Sequence, residues 1–411
     1  MRLKTLLADL LGLEYTRVRS CSFDDDGLVV DVAPTWRSPR CSSCGHACRG
    51  YDRLRGRRWR HLDLAGMKWH LRYDTRRVDC PRCGVVVEHV PWADVGSWFT
   101  RPFEDQVGYL AQRCDKTTVR TLMRVAWATV GDIIQRVVKR RQDGRLLDGL
   151  THIGVDELSY RRHHEYVTVV VDHKTQRIVW AKKGKNAATL KAFFDELGPT
   201  RVAKLEAVTI DMSGAYIKAV TEASPHAQII FDRFHVQRLA HDALDQVRRA
   251  EVREAATVDD RKALKGMRWP LLRRAWNLKD LEVARLATLP RANRRMFRAY
   301  LLKESLAAIL DGKQVHVARR KLGEWIGWAF RSQLAPFRRL ATTIRDHKAG
   351  ILAYVRFRLS NGRTEALNGK ARTITRRSYG LHSASSLIAL LKLCCSGIDL
   401  QPVTRRPTPT L

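Results

Sequence analysis

The chain has 411 residues, with 75 Lys or Arg against 42 Asp or Glu and a formal net charge of +33. This excess is larger than solubility requires and predicts a polyanionic partner. Apolar residues make up 45% of the chain, which excludes a wholly disordered basic protein. No run of about 18 uncharged apolar residues occurs, and Asp9 breaks the N-terminal apolar run before a signal peptide could form. We therefore expect a soluble, intracellular protein without membrane contact.

Residues 1–100 contain a short amphipathic helix, strand-like runs such as Gly27–Val32, and two Cys-x-x-Cys pairs. Each pair is followed by a glycine that tolerates a tight turn, and such pairs in a reducing compartment favour metal binding over disulfides. Four thiolates suit a structural zinc ion. The proposed ligands are Cys41, Cys44, Cys80 and Cys83. We therefore interpret residues 1–100 as a zinc-binding module, with unrelated buried cysteines as the alternative.

Two features leave the zinc ligands open. About 35 residues separate the pairs, more than in common zinc ribbons, and His46 and Cys48 are available as substitute ligands. A catalytic zinc ion is not expected, because nothing in the pattern suggests an open coordination position.

A basic run with one aromatic residue, Arg53–Arg60, lies between the cysteine pairs. Arg57 and Arg58 are candidates for contacts with DNA phosphates. The alternative is a solvated hairpin face, since runs of charge usually face water.

From Arg101 to Arg141 apolar residues recur at three- and four-residue spacing, which predicts three short helices. We interpret 101–148 as a helix-turn-helix domain whose third helix opens at Trp127. Its side chains predicted to reach a major groove are Thr129, Gln135 and Arg136. Ordinary three-helix packing would give the same periodicity.

A new domain begins near residue 149 with runs rich in β-branched residues. The predicted elements are three strands, a helix, a strand, a helix and a last strand: His152–Asp156, Tyr166–Asp172, Arg177–Ala181, Ala187–Leu197, Ala207–Asp211, Gly214–Glu222 and Gln228–Asp232. The order βββαβαβ predicts an α/β fold with a mixed sheet over 149–232.

After Arg233 the strand signal disappears, and long arginine-rich helical patterns predict an all-helical insertion over 233–355. Two more helical patterns, Thr364–Thr375 and Ser383–Cys394, belong to a segment 356–400 that returns to the core. Residues 401–411 hold too few apolar side chains to pack, so we expect a disordered tail.

Two aspartates are predicted at strand ends, Asp156 and Asp211, on strands that such a sheet makes neighbours. Facing carboxylates either shift their pKa values or bind a hard cation such as Mg²⁺ or Mn²⁺. The candidates for a third carboxylate are Asp232, Asp242, Glu304 and Glu365. Glu365 is favoured because small, polar and basic residues, including Lys370 and Arg372, surround it, as a helix against a phosphate backbone requires. For each single aspartate, a turn or cap role is the alternative.

These residues resemble a known family. Gly154–Glu157, Asp211–Ser213, Phe231–His235 and Asn361–Asn368 resemble the DDE signature of bacterial insertion-sequence transposases of the ISL-three family. The cysteine pairs and Trp127–Val130 are similar to its zinc-binding and helix-turn-helix modules. The similarity extends over roughly Leu3–Leu400, with the motifs in the family's order.

The resemblance implies an RNase H-like catalytic core interrupted by the helical insertion. It implies three ligands for catalytic magnesium or manganese, which are Asp156, Asp211 and Glu365. Asp232 and His235 fall on a further motif beside this site, where a structural cap or core role is the alternative. Tyr379–Gly380 matches a short motif to which we assign no chemical role.

The expected activity is metal-dependent 3′-end cleavage and strand transfer on double-stranded DNA, at terminal inverted repeats and a target. A dimer or larger assembly is expected, because the two ends of the element must be cut together. The expected location is the bacterial cytoplasm, at the nucleoid. The alternatives are an inactive zinc and helix-turn-helix regulator, and an RNase H-type nuclease without strand transfer.

Overall fold

The structure is a computed structural model that describes residues 3–161, 165–359, 362–377 and 383–402. Within these ranges, the side chains at positions 160–161, 275, 362–368 and 375 lie outside the description. The chain divides into two compact units, one holding the described residues of 1–141 and 398–411 and the other those of 142–397. None of the described helices is both long and apolar enough to cross a membrane.

The first unit contains one helix, a five-stranded sheet and three further helices. Their bounds are α1 (Leu3–Leu11), β1 (Thr16–Asp24), β2 (Gly27–Pro34), β3 (Arg49–Leu64), β4 (Met67–Cys80), β5 (Gly84–Val87), α2 (Arg101–Ala111), α3 (Lys116–Met123) and α4 (Trp127–Arg141). The predicted N-terminal helix, the strand at 27–32 and the three helices between 101 and 141 are confirmed.

The first sheet has the strand order β1-β2-β4-β3, with β5 paired to β4. Strands β2 and β4 are parallel, and the other pairs are antiparallel. The core under this sheet is dominated by Trp59, Trp69 and Trp92, which are almost fully buried. Alternation of apolar and charged residues along β4 fits a sheet with one buried face.

Helix α3 is bounded by capping groups at both ends. Asp115 begins α3 by accepting hydrogen bonds from the backbone N–H groups of Thr117 and Thr118. The helix ends at Arg124, whose φ of +52° is left-handed. Helix α4 then turns its apolar face inward through Val130, Ile133, Ile134, Val137 and Val138.

The second unit contains a second five-stranded sheet and most of the helices. Its bounds are β6 (His152–Arg161), β7 (Glu165–Asp172), β8 (Arg177–Lys183), α5 (Ala187–Leu197), α6 (Pro199–Val202), β9 (Ala207–Ile210), α7 (Gly214–Ala223), β10 (Gln228–Phe231), α8 (Arg233–Glu254), α9 (Val258–Gly266), α10 (Arg268–Leu272), a 3₁₀ turn (Ala275–Asn277), α11 (Asp280–Ala292), α12 (Arg294–Asp311), α13 (Val315–Arg331), α14 (Ala335–Asp346), α15 (Lys348–Phe357), α16 (Gly362–Arg377) and α17 (Ala384–Cys395).

The second sheet has the strand order β10-β9-β6-β7-β8. Strands β6, β7 and β8 form the predicted antiparallel meander, and β9 and β10 add to β6 as parallel strands. The order βββαβαβ is confirmed, with the short helix α6 added before β9. The expectation that Asp156 ends a strand is wrong. Strand β6 continues to Arg161, so Asp156 lies inside it, because the chain after Asp156 stays paired with β7.

The described range 233–357 holds helices α8 to α15 and no strand, as the arginine-rich pattern predicts. Trp325 is buried and donates a hydrogen bond to the carbonyl of Leu302, whereas Trp269 and Trp276 are 60% and 71% exposed. The chain returns to the sheet at α15, where Gly350 meets Phe231 so closely that a Cβ would clash. Helix α16 then packs against β6, and α17 packs against β8. Residues 403–411 of the expected tail lie outside the described residues.

Candidate active site and zinc site

Three adjacent strands of the second sheet, β6, β9 and the edge strand β10, bring three aspartates to one level. Gly154 pairs with Thr209 in the parallel β6–β9 register, so Asp156 is level with Asp211, each two residues further on. Ile210 pairs with Phe231, so Asp232 is level with Asp211 in the same way. The three aspartates line one cleft. The predicted neighbouring strands are therefore confirmed.

Local backbone groups orient two of these carboxylates. Asp156 Oδ1 accepts a 2.7 Å hydrogen bond from the N–H of Glu157, and Asp211 Oδ1 accepts a 3.0 Å bond from the N–H of Ser213. The second bond shapes the turn from β9 into α7. One oxygen of each carboxylate is therefore fixed by a backbone N–H group, as a preorganised ligand requires.

Asp232 and His235 lie where β10 passes into α8. Asp232 is 2% exposed and occupies the N-cap position of α8, but its side chain makes no cap hydrogen bond. His235 Nδ1 is buried and has no hydrogen-bond partner. Both residues line the cleft. A simple helix cap therefore does not account for Asp232.

Positive side chains complete the cleft, which has a volume of about 640 Å³. Arg238 comes from α8, and Arg372 and Arg376 come from α16. The three arginines are exposed. Carboxylates from the sheet and guanidinium groups from the helices thus face one space, a charge distribution that suits a phosphodiester with a divalent cation.

Two lining residues, Glu157 and Tyr216, had no predicted role. The Tyr216 hydroxyl lies 3.0 Å from Thr168 Oγ1, and burial raises the pKa of this tyrosine. Burial also raises the pKa of Glu157; the Tyr216 hydroxyl opposes this shift, and the nearby carboxylate of Asp211 adds to it. The sequence could have indicated Glu157 by its position next to Asp156, and Tyr216 by its position in the first turn of α7, the helix that follows Asp211.

The remaining candidates for a third metal-binding carboxylate, Asp242, Glu304 and Glu365, differ in their relation to the cleft. Asp242 and Glu304 are not among the described lining residues of the cleft, and Glu304 pairs with Lys303 and Arg274. Glu365 belongs to α16, but its side chain lies outside the described residues, as do Tyr379 and Gly380. The structure thus describes the helix on which Glu365 lies, but not the contacts of the Glu365 side chain.

The four predicted cysteines come together in the first unit. The Sγ atoms of Cys41, Cys44, Cys80 and Cys83 all lie within 4.8 Å of one another. In the described part of the chain this is the one group of three or more such side chains close enough to share an ion, so the three aspartates alone are not such a group. Cys48 packs against Cys41 and Cys80, and its thiol contacts the His46 carbonyl at 3.3 Å, but neither Cys48 nor His46 is one of the four grouped residues.

Two of the four cysteines favour the thiolate before any ion binds, whereas the hydrogen bond with the Cys44 side chain raises the pKa of Cys83 to about 12. Hydrogen bonds from the backbone N–H groups of Arg82 and Cys83 lower the pKa of Cys80 to about 6. A backbone hydrogen bond from Cys44 likewise lowers the pKa of Cys41. All nine cysteines of the chain are free of disulfides. Thiolate donors in this number fit a tetrahedral zinc ion.

The predicted DNA-contact residues differ in how far the protein already uses them. Arg57 lies over the rings of Trp59 and Trp98 and donates to the Ser97 carbonyl. Arg58 forms an ion pair with Asp24 at 2.8 Å. These arginines are therefore engaged within the first unit.

The remaining predicted contacts are on helices. Arg136 is paired with the buried Glu104 at 2.6 Å. By contrast, Gln135 is exposed on α4 and Thr129 is half-buried. In the second unit, Lys370 donates to the Cys394 carbonyl, whereas Arg372 lines the acidic cleft.

Comparison with known proteins gives matches for both units. Residues 153–391 match the family model of ISL3 transposases, and residues 88–138 match the helix-turn-helix domain of transposase family ISL3. The chain is 37% identical to the transposase for insertion sequence element IS1557 of Mycobacterium tuberculosis, covering 97% of this chain and 96% of the relative. It is 29% identical to the transposase for insertion sequence element IS1001 of Bordetella parapertussis, covering 92% and 94%.

The family match spans more than half of the chain, and the mycobacterial relative aligns along nearly all of it. The DDE motifs lie inside the range 153–391 and Trp127–Val130 lies inside 88–138, whereas the cysteine pairs lie before both ranges. The chain therefore belongs to the ISL3 family of insertion-sequence transposases.

Proposed function

We propose that this chain is a DDE transposase that binds the terminal inverted repeats of an insertion sequence and catalyses metal-dependent 3′-end cleavage and strand transfer. The observation that carries the proposal is the level placement of Asp156, Asp211 and Asp232 on adjacent strands, in a cleft that arginines share. Carboxylates suit divalent cations, and arginines suit phosphates.

The proposal includes an RNase H-like core formed by residues 149–232 and 356–400, with residues 233–355 as an insertion. The βββαβαβ order, the mixed sheet and the return of the chain through α16 and α17 support it. It also includes a zinc-binding module at 1–100 and a helix-turn-helix domain at 101–148.

Asp156, Asp211 and Glu365 are the proposed ligands for Mg²⁺ or Mn²⁺. Helical phase supports Glu365, because position 365 precedes Arg372 by seven residues and Arg376 by eleven, spacings that share one face of an α-helix. Both arginines line the acidic cleft. Asp232 and His235 are proposed to support the ligands from the start of α8.

When bound, the divalent ions would activate a water molecule or a DNA 3′-hydroxyl and stabilise the leaving oxygen. The residues of the chain prepare this chemistry. Arg372, Arg376 and Arg238 hold the phosphodiester in the cleft by charge-assisted hydrogen bonds. The N–H bonds to Asp156 and Asp211 fix the orientation of both carboxylates.

Recognition of the DNA ends is assigned to the first unit, because phosphate contacts alone carry no base information. Helix α4 presents Gln135 and Thr129 for base contacts. A zinc ion in the cysteine cluster stabilises the sheet that precedes this helix in the sequence. Arg57, Arg58, Arg136, Lys370 and Arg372 complete the proposed DNA-binding set. We further propose a dimer or larger assembly on DNA, acting in the cytoplasm at the nucleoid.

One joining assay tests the function. The full chain is incubated with Mg²⁺, a labelled duplex that carries the terminal repeat and a supercoiled target plasmid. Strand transfer predicts that the label becomes covalently attached to the plasmid. Nicks without joining would identify a nuclease, and binding without any product would identify an inactive DNA-binding regulator. Either outcome would overturn the proposal.

A further inference from the structure

A second cleft, in the first unit, is lined by arginines that the proposed recognition elements do not include. It has a volume of about 630 Å³ and lies on the β1-β2-β4-β3 sheet. Its arginines are Arg17, Arg19, Arg37, Arg53, Arg72 and Arg76. We call it the arginine cleft.

Four of these arginines form no ion pair in the described chain, although the charge of Arg19 contributes to the lowered pKa of Asp31. Arg17, Arg19, Arg37 and Arg53 are exposed, and no ion pair in the described chain includes them. An unpaired guanidinium keeps five N–H donors in a planar fork for an anionic ligand.

The acidic side chains at the cleft are largely neutralised. Arg72 holds Asp31 with two hydrogen bonds of 2.6 and 2.9 Å, and this pairing lowers the pKa of Asp31. Asp74 accepts a hydrogen bond from the N–H of Gly56. Arg76 is paired in the same way with the buried Glu88, so four arginines without an ion pair stand against Asp74 and the cleft has an excess of positive charge.

The spread of the arginines indicates the size of the ligand. Arg17 lies on β1 and Arg53 on β3, the outer members of the four-strand order. Three strand spacings separate these strands by about 14 Å. One DNA strand places a phosphate about every 3.4 Å along the helix axis, so the cleft extends over several phosphates. A single inorganic phosphate would engage one end only.

We propose that the arginine cleft binds the sugar-phosphate backbone of duplex DNA as a sequence-independent contact. The inference rests on the proposed function, which supplies the DNA, and adds a second contact surface to that of α4. Arginines at fixed positions on strands fit the backbone, because the sheet holds them at a regular spacing.

The test measures binding of the full chain to two duplexes of equal length, one with the terminal repeat and one with that sequence scrambled. The variant combines Arg17→Gln, Arg37→Gln and Arg53→Gln. Each lost phosphate contact removes about 0.9 from the slope of log K against log salt. We expect the slope to fall by about 3, and affinity to fall by the same factor on both duplexes.

Arg77→Gln is the matched control. Arg77 lies on β4 but pairs with Asp52 and does not line the cleft. It should leave the salt slope unchanged. Zinc content reports folding of the first unit, and the single variant Arg37→Glu, in an exposed loop, gives the test again with one substitution if the triple variant loses zinc.

A triple variant with the wild-type salt slope would overturn the arginine cleft. Loss on the terminal-repeat duplex alone would also overturn it, because backbone contacts do not discriminate sequence. A wild-type chain that binds both duplexes equally would instead contradict the proposed recognition of terminal repeats. The slope on the scrambled duplex would still decide the cleft.

Discussion

Under the proposed function, Gln135 is the residue whose substitution should separate base recognition from general DNA affinity. It is exposed on α4, in line with Ala128, Asp132 and Lys139, which are also exposed at helical spacing. Such a face has the geometry of a recognition helix. The buried face of the same helix, with Ile133 and Val137, is unavailable to DNA.

We predict that Gln135→Ala removes about 1 to 3 kcal/mol of preference for the terminal repeat over a scrambled duplex, the usual contribution of a good base contact. Competition binding measures this preference. Lys139→Ala is the control and should weaken binding to both duplexes alike, as a phosphate contact does. An unchanged preference in Gln135→Ala would show that α4 does not read bases through this residue.

Single residues also mark the limit of sequence-based prediction. The aspartates were identifiable because each follows or interrupts a strongly β-branched run, a local pattern. Arg136 was predicted to be a DNA contact, yet its guanidinium binds Glu104, which lies 32 positions earlier and shows no local signal. Ion-pair partners across a fold are set by packing, which sequence periodicity does not reveal.

Among the elements, the turns that carry the cysteine cluster are those expected to depend most directly on a bound metal ion. The Cys44 and Cys80 Sγ atoms lie 3.6 Å apart, and the β4–β5 hairpin closes from Cys80 to Gly84. Without an ion, thiolates at this distance repel one another. Zinc binding and local folding should therefore be coupled.

We predict that Cys44→Ser abolishes binding of one zinc equivalent, measured by metal analysis of the purified chain. Hydrogen exchange should rise in β4 and β5 in the same variant, because the hairpin loses its cross-link. Cys48→Ser is the control and should keep its zinc, since Cys48 lies outside the cluster. Zinc loss in Cys48→Ser would reassign the ligands.

Helices α2 and α4 are joined by a buried ionic network around Arg140. This side chain is 17% exposed and pairs with Glu104, Asp105 and Asp94. Burial lowers the pKa of Arg140, but the hydrogen bonds to Glu104 and Asp105 and the nearby carboxylate charges together raise it by more, so the net shift is upward. Burial raises the pKa of Asp94, and the bonds to Arg101 and Arg140 bring it below the ordinary value.

We predict that Arg140→Met destabilises the first unit by about 3 to 5 kcal/mol, the usual cost of leaving buried charges unpaired. Urea-dependent hydrogen exchange of α4 measures this change. Arg77→Met, which breaks a solvent-screened pair with Asp52, should cost far less stability than Arg140→Met. Equal effects of the two substitutions would contradict the buried network.

Elements were predicted more completely than their lengths. The strand and helix order of the second sheet follows from β-branched runs and from stops such as Gly198, where φ is +80°. The continuation of β6 past Asp156 was missed, because Glu157 and Ser159 are polar and give no strand signal. Pairing with β7 determines that strand length, and pairing is a tertiary property.

At the scale of the whole molecule, the net charge of +33 is the property expected to govern the proposed association with DNA. We predict that affinity for any duplex falls steeply and linearly in log salt, because each neutralised phosphate releases counterion. Anisotropy titrations over a range of salt concentrations measure the slope. A flat titration would show that the excess charge does not contact DNA.

The central claim concerns convergence of residues that are far apart along the chain. Asp156 and Asp211 come from neighbouring strands, and Glu365 comes from a helix that follows a long helical segment. The sequence predicted this grouping from the strand order, from the residues around Glu365 and from the family resemblance together, because no single local pattern relates positions so distant. The sheet register now brings the two aspartates together.

The most direct measurement is strand joining by Asp156→Asn, Asp211→Asn and Glu365→Gln, with binding to the terminal-repeat duplex measured on the same samples. We predict that each variant binds DNA as the wild type does and that joining falls by roughly a thousandfold or more, since each change removes a charged metal ligand. Asp242→Asn is the control and should join normally, because Asp242 does not line the cleft. Wild-type joining by any one of the three variants would contradict the account.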